Sequence, residues 1–214
     1  MKKLTPEIIK YVSALVSERT GVILGDRQSN MVESRLLRHI RDLGLDSTQD
    51  YISYVEKHRE KETQHLISLL TTHHTFFFRE YEHFEHLSGE ALPRLVAHLR
   101  RIGRKSIRVL SAACSKGHEV YSLAMYLKRH LPPDFSYEVV GGDICEESVE
   151  FAKNGVYRWD EVKTIPAEFL NGNWIRGTGA ISDFAKISES VKQHTKFESM
   201  NLIALGQQKV TEKF

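Results

Sequence analysis

The stretch Ile107–Leu127, IRVLSAACSKGHEVYSLAMYL, constrains the fold more than any other part of the chain. Its first half is apolar and tolerant of an extended backbone, with Ile107, Val109 and Leu110 leading into the small residues Ala112 and Ala113. A small-residue turn follows, Cys114-Ser115-Lys116-Gly117. Beyond it Val120, Leu123, Ala124 and Leu127 recur at helical spacing. Strand, tight turn and helix form the opening unit of a doubly wound α/β fold, whose ligands lie at the carboxyl ends of the strands. A turn with one glycine suits either a plain buried βα unit or a ligand cradle, and this stretch alone leaves both open.

Tyr137–Gly142, YEVVGG, reads as a second buried strand, and Asp143 follows it directly. An acidic residue at the end of the second strand is where nucleotide-binding α/β folds hold ribose hydroxyls. The turn lacks the three-glycine pattern that lets a backbone wrap a pyrophosphate. A nucleoside without phosphates needs less, and S-adenosylmethionine, with its adenine, ribose, sulfonium and amino-acid tail, is such a ligand.

At 214 residues the chain has room for one large or two small domains. Its apolar fraction of 41% and charged fraction of 27% suit a soluble globular protein. A formal net charge of +2 gives no global pull towards nucleic acid or membrane. No apolar run approaches the roughly 20 residues needed to span a bilayer. The start, MKKLTPEIIKYV, lacks the apolar core and cleavage site of a signal peptide. Two cysteines, Cys114 and Cys145, each just after a predicted strand, suggest no disulfide framework, so a reducing, cytoplasmic location is expected. Cys114 reads as a packed turn residue rather than a nucleophile.

The first third is helical by pattern. Thr5-Pro6-Glu7 opens a helix with Ile8, Ile9, Val12, Leu15 and Val16 on one face, and Gly21 ends it. Ser29–Leu43 forms a second, with Val32, Leu36, Leu37, Ile40 and Leu43 on one side and Arg35, Arg38 and Arg41 on the other. That arginine stripe is either a solvated face or a docking surface for an acidic helical partner. Segments 47–56 and 61–72 complete a small bundle. THHTFFFRE, residues 72–80, then places three adjacent aromatics where no single helix face can take them all. It is either a hydrophobic joint or a wedge holding Thr75 and Arg79 at a pocket edge. His73, His74, His83 and His86 match no zinc spacing, and no metal is expected. Helix continues over 84–99, with Pro93 starting a new one. The run Arg100, Arg101, Arg104 and Lys105 has no interleaved aromatics and reads as a solvated linker. Glu146–Asn154 is a helix capped by Gly155, residues 174–187 suggest a hairpin with a glycine loop, and Phe197–Leu202 reads as a third core strand.

Three segments together resemble the CheR-type chemotaxis methyltransferases of bacteria: LLTTHHTFFFRE, RVLSAACSKGHEVYSLAMYL and GGDICEESVEFAKNGVY. The likeness extends to the basic second helix and the glycine-loop hairpin. It implies an α/β fold with an N-terminal all-α subdomain over 1–72 and linking helices over 73–106. A Rossmann-like S-adenosylmethionine-dependent methyltransferase sheet would occupy 107–214, with a small β-hairpin insertion at about 173–190. Only the first part of that sheet is expected. Three core strands can be counted, and the segment that carries the family's fourth strand is absent, so the chain reads as truncated at its C-terminus.

The implied activity is transfer of a methyl group from S-adenosylmethionine to glutamate side chains of chemoreceptors, giving methyl esters and S-adenosylhomocysteine. The resemblance assigns His73, Thr75, Arg79, Ala113, Glu119, Asp143, Ile144, Asn201 and Leu202 to the cofactor, with Arg79 also at the transfer site. Asp143 would take the ribose hydroxyls and Ile144 would pack on the adenine. Arg35, Arg38 and Arg41 would face the receptor's cytoplasmic methylation region, and the hairpin would take the receptor's C-terminal tail. His73, His118 and Val120 depart from the family pattern. The alternative reading is a truncated or degenerate module that binds cofactor or a signalling partner without turnover. Near-neutral charge argues against a nucleic-acid methyltransferase.

Overall fold

The computed structural model describes residues 4–71 and 74–205. These divide into two compact units, Met1–Thr72 with Ile144–Glu146, and His73–Asp143 with Glu147–Phe214.

Among the described residues the first unit bundles four α-helices: α1 (Pro6–Thr20), α2 (Ser29–Asp42), α3 (Thr48–Lys57) and α4 (Arg59–Leu70). Their limits follow from local chemistry. Pro6 sits in the first turn of α1, and Gly21 closes it in the left-handed conformation (φ 71°). Ser47 caps α3, its side chain accepting from the Asp50 N–H at 3.1 Å. Apolar residues of α1 and α2 at helical spacing, among them Ile8, Val12, Val32, Leu36 and Ile40, meet Tyr51, Val55, Leu66, Ile67 and Leu70 in one core. Within it Glu62 of α4 is buried and accepts hydrogen bonds from His39 of α2 (2.7 Å) and Tyr51 of α3 (2.6 Å). Three helices are thus pinned at one carboxylate.

The second unit begins with α5 (Tyr81–His86), joined to α6 (Leu92–Arg101) by a wider turn of π type over Leu87–Ala91. The sheet follows: β1 (Ser106–Ala112), α7 (His118–His130) and β2 (Ser136–Asp143). Next come α8 (Glu146–Asn154), β3 (Val156–Arg158), α9 (Trp159–Val162), β4 (Trp174–Arg176), β5 (Phe184–Ile187) and β6 (Thr195–Ser199). β1, β2 and β6 make a parallel sheet in the order β1-β2-β6. Glu138 at its centre bonds to Arg108 (2.8 Å) on one side and Lys196 (2.5 Å) on the other. Among the described residues β1 has one strand neighbour, β2.

Two findings differ from the sequence reading. The third core strand ends at Ser199, and the chain turns at Met200 into the helical turn Leu202–Leu205. The hairpin expected near 174–187 is present as β4 and β5, and the three residues after Gly155 add β3 to it, giving an antiparallel sheet in the order β3-β5-β4. A three-residue strand straight after a helix is too short to show a period of two, so its partner decides it.

Candidate functional site

The turn after β1 is held in an uncommon backbone conformation. Ala113 (φ 57°), Ser115 (φ 49°) and Gly117 (φ 82°) all lie in the left-handed region, where residues other than glycine are disfavoured by about 1–2 kcal/mol. A Cβ on Gly117 would also come within 2.8 Å of the Ala152 Cβ. Hydrogen bonds to neighbouring strand ends maintain the turn. Cys114 N–H donates to the Gly142 carbonyl (3.0 Å), and Ser115 N–H donates to the Asp143 carboxylate (2.6 Å). Met200 N–H reaches the Asp143 carbonyl (2.8 Å), so the ends of β1, β2 and β6 converge on Asp143. The Cys114 thiol is buried here. Burial, with the nearby Asp143 charge adding to it, pushes its pKa up to about 12, which leaves it a protonated packing group at neutral pH.

A cavity of about 320 Å³ opens beside the first turn of α7. Arg79, Glu80, His83, Phe84, Leu87, Glu119 and Leu123 line it. Glu119 is fixed by the Ser111 hydroxyl, which donates to its Oε1 at 2.6 Å from the penultimate residue of β1. Arg79 donates to the His74 carbonyl (3.3 Å) and stands 3.8 Å from the Glu80 carboxylate. The segment that delivers Arg79 carries two more left-handed residues, Phe78 (φ 55°) and Glu80 (φ 54°). Phe77 and Phe78 anchor it in the core, whereas Phe76 is about half exposed (48%). Non-glycine residues held in this region cluster at functional sites, where surrounding packing over-determines them.

The structure thus brings Arg79 and Glu119 to one cavity, and brings Asp143 to the turn that contains Ala113. Thr75 is half-buried four residues before Arg79, and Ala113 is exposed at the turn's start. Asn201 and Leu202 follow β6, with the Asn201 Oδ1 accepting from Ile203 N–H (3.0 Å) and Leu202 exposed. Ile144 groups with the helical unit. His73 lies outside the described residues. Sequence reading missed Ser111 and Ser115, as well as Glu80, His83, Phe84 and Leu87 on the cavity wall. The spacing 79-80-83-84-87 is one helical face, legible once a helix is taken to start beside Arg79. Among the described residues, no group of three or more His, Cys, Asp or Glu side chains is placed to hold a metal, and no helix is long and apolar enough to cross a membrane.

In the first unit the arginine stripe divides. Arg35 is half-buried and donates to the carbonyls of Leu69 (2.7 Å) and Thr71 (3.0 Å), closing the open end of α4. Arg38 and Arg41 are exposed and line a shallow hollow with Asn30, Glu33, Ser34 and Leu37.

Comparison with known proteins assigns both units. Residues 73–214 match the family model "CheR methyltransferase, SAM binding domain", and residues 8–71 match "CheR methyltransferase, all-alpha domain". The chain belongs to the CheR methyltransferase family. The chemotaxis protein methyltransferase of Salmonella typhimurium is 36% identical over 196 residues, covering 91% of this chain and 65% of that protein. Its counterpart in Escherichia coli is 35% identical over 197 residues, covering 91% and 66%. That of Borreliella burgdorferi is 28% identical over 204 residues, covering 94% and 71%. The chain therefore spans just under two thirds of the length of the first two relatives.

The residues fit the cofactor that the family domain is named for. Its amino-acid end is a zwitterion, and Arg79 and Glu119 offer one charge of each sign on the same cavity. Its ribose presents two hydroxyl donors, and Asp143 offers a carboxylate at the carboxyl end of β2.

Proposed function

We propose that this chain contains the cofactor-binding and transfer machinery of a cytoplasmic protein-glutamate O-methyltransferase acting on chemoreceptors. The observation that carries the reading is the presence of Arg79 and Glu119 on one cavity beside the first turn of α7. S-adenosylmethionine, when bound, supplies an electrophilic methyl group on a sulfonium. Glu119 takes the cofactor's ammonium, Asp143 its ribose hydroxyls, and Arg79 orients a carboxylate, either the cofactor's or the acceptor's.

The acceptor chemistry asks little of acid–base groups. A glutamate side chain, with a reference pKa of about 4.3, is already ionised at neutral pH. No proton has to be moved, so no general base is required. The protein's task is to position the carboxylate and exclude water, which solvates the anion and lowers its reactivity. Phe84, Leu87 and Leu123 supply the dry wall, and the Arg79 guanidinium holds the anion in a fixed orientation. Arg38 and Arg41, exposed on α2, suit an acidic helical methylation region, and the small antiparallel sheet suits a receptor tail.

The test is a methyl-transfer assay with radiolabelled S-adenosylmethionine and receptor-containing membranes. Label released as volatile methanol by alkali, and lost in Arg79→Ala, supports glutamate ester formation. Alkali-stable label overturns the ester. Cofactor binding without any transfer by this chain points instead to a binding module.

A further inference from the structure

His118 opens α7, immediately before Glu119, and is 1% exposed. Four side chains meet at this residue. Its Nε2–H donates to the Glu161 carboxylate of α9 at 3.0 Å. Its ring packs on Phe77 (centroids 4.5 Å apart) and Tyr157 (4.9 Å). Its carbonyl accepts from the Ser122 hydroxyl (2.7 Å), and that hydroxyl oxygen in turn accepts from the Phe78 N–H (2.9 Å). Phe77 and Phe78 directly precede Arg79. One residue therefore links the segment that delivers Arg79, the helical turn that delivers Glu119, and the antiparallel sheet. Tyr157 of that sheet also donates to the Lys116 carbonyl, within the turn after β1.

We propose that His118 is a positioning residue, an uncharged donor to Glu161 that sets Arg79 and Glu119 in register across the cofactor cavity. The inference rests on the cofactor reading above and names the residue that adjusts that site. Nδ1 is buried without a hydrogen-bond partner among the described residues. A proton there would be buried and unpaired, so the imidazole is held neutral with its hydrogen on Nε2. Burial lowers its pKa, outweighing the Glu161 carboxylate, while the Lys116 charge adds to the lowering. Glu161, Lys116 and Tyr157 are the ionisable groups facing it.

The test compares His118→Leu, which removes the donor, with His118→Gln, whose amide nitrogen lies about where Nε2 does. Glu161→Leu is a third variant, changing a partly exposed residue and leaving the histidine in place. Two readouts are taken: hydrogen exchange at the Phe78 and Tyr121 amides, and calorimetric affinity for S-adenosylhomocysteine. Both leucine variants are expected to speed Phe78 exchange and weaken binding by about tenfold or more, as small displacements of positioned groups do. The glutamine variant should stay within about threefold of the parent in both, because its donor is retained. The Val139 amide, which donates to the His194 carbonyl just before β6 (2.8 Å), should exchange at the parental rate throughout.

Unchanged Phe78 exchange in folded leucine variants overturns the proposal, as does a glutamine variant as impaired as leucine. A merely structural histidine would lower the melting temperature in all three variants without separating glutamine from leucine. Should the parent fail to bind S-adenosylhomocysteine, the cofactor reading falls, and the exchange data still decide whether His118 sets the register.

Discussion

The backbone N–H of Ser115 donates a 2.6 Å hydrogen bond to the side-chain carboxylate of Asp143. The two residues belong to different βα units, and the bond fixes the turn after β1 to the end of β2. Asp143→Ala removes this anchor and, under the proposed function, the acceptor for ribose hydroxyls. Loss of S-adenosylhomocysteine affinity by tenfold or more, about 1.4 kcal/mol, is expected by calorimetry. Asp143→Asn keeps an acceptor for Ser115, so it should weaken binding while moving the melting temperature less than alanine does.

Gly117→Ala should destabilise the second unit by about 2 kcal/mol or more. The residue sits at φ 82°, and the new Cβ would lie 2.8 Å from the Ala152 Cβ. Urea unfolding measures it. A change below about 0.5 kcal/mol would mean that the turn relaxes freely.

Glu62 makes the helical unit acid-sensitive. Burial alone would raise its pKa, but hydrogen bonds from His39 and Tyr51 and the nearby imidazole charges outweigh it, holding the carboxyl below its ordinary range. The unfolded chain therefore takes up the proton first as pH falls. Its stabilising contribution is complete above about pH 4.3 and is lost as pH drops through the depressed folded value. In Glu62→Gln this part of the acid dependence should vanish. Stability at pH 7 should also fall by about 1–3 kcal/mol, since a buried charged acceptor is lost. Denaturant melts from pH 7 to 3 follow both effects.

Arg35 and Arg38 lie one helical turn apart and should separate by readout. Arg35→Ala leaves the Leu69 and Thr71 carbonyls without its guanidinium and is expected to cost about 1.5–3 kcal/mol in unfolding experiments. Exposed Arg38→Ala should stay within about 0.5 kcal/mol. Under the proposed receptor reading, Arg38→Ala weakens binding to receptor-containing membranes in a salt-dependent manner.

Neither cysteine forms a disulfide, and both are buried. The Cys114 thiol, its pKa pushed up to about 12, should not react with a disulfide reagent at pH 8 in the folded protein. Two thiols should titrate rapidly in guanidinium chloride. Fast modification of Cys114 in the native state would show that the turn opens.

Much of the local structure was legible because it depends on nearest neighbours. Pro6 and Gly21 bound α1, Ser47 caps α3, Gly155 follows α8, and the run from Ile107 to Leu127 folds as strand, turn and helix. Two boundaries were not legible. The third strand stops at Ser199 where Met200 N–H turns to the Asp143 carbonyl, a partner 57 positions away in sequence. β3 exists only because Phe184–Ile187 supplies its ladder.

The sequence by itself determined the order of the N-terminal helices and of the parallel strands, the family likeness, and the chemical types of the site residues. Side-chain periodicity and backbone dihedral limits act within a few residues and are written directly in the chain. Tertiary structure alone decided how those residues are used. It made Arg35 a helix-end clamp while leaving Arg38 and Arg41 exposed, put Arg79 and Glu119 on one cavity, and turned His118 from an unexplained departure into a link among three segments. Each of those outcomes depends on which long-range partners packing and desolvation bring within hydrogen-bond reach, and sequence spacing carries no record of that.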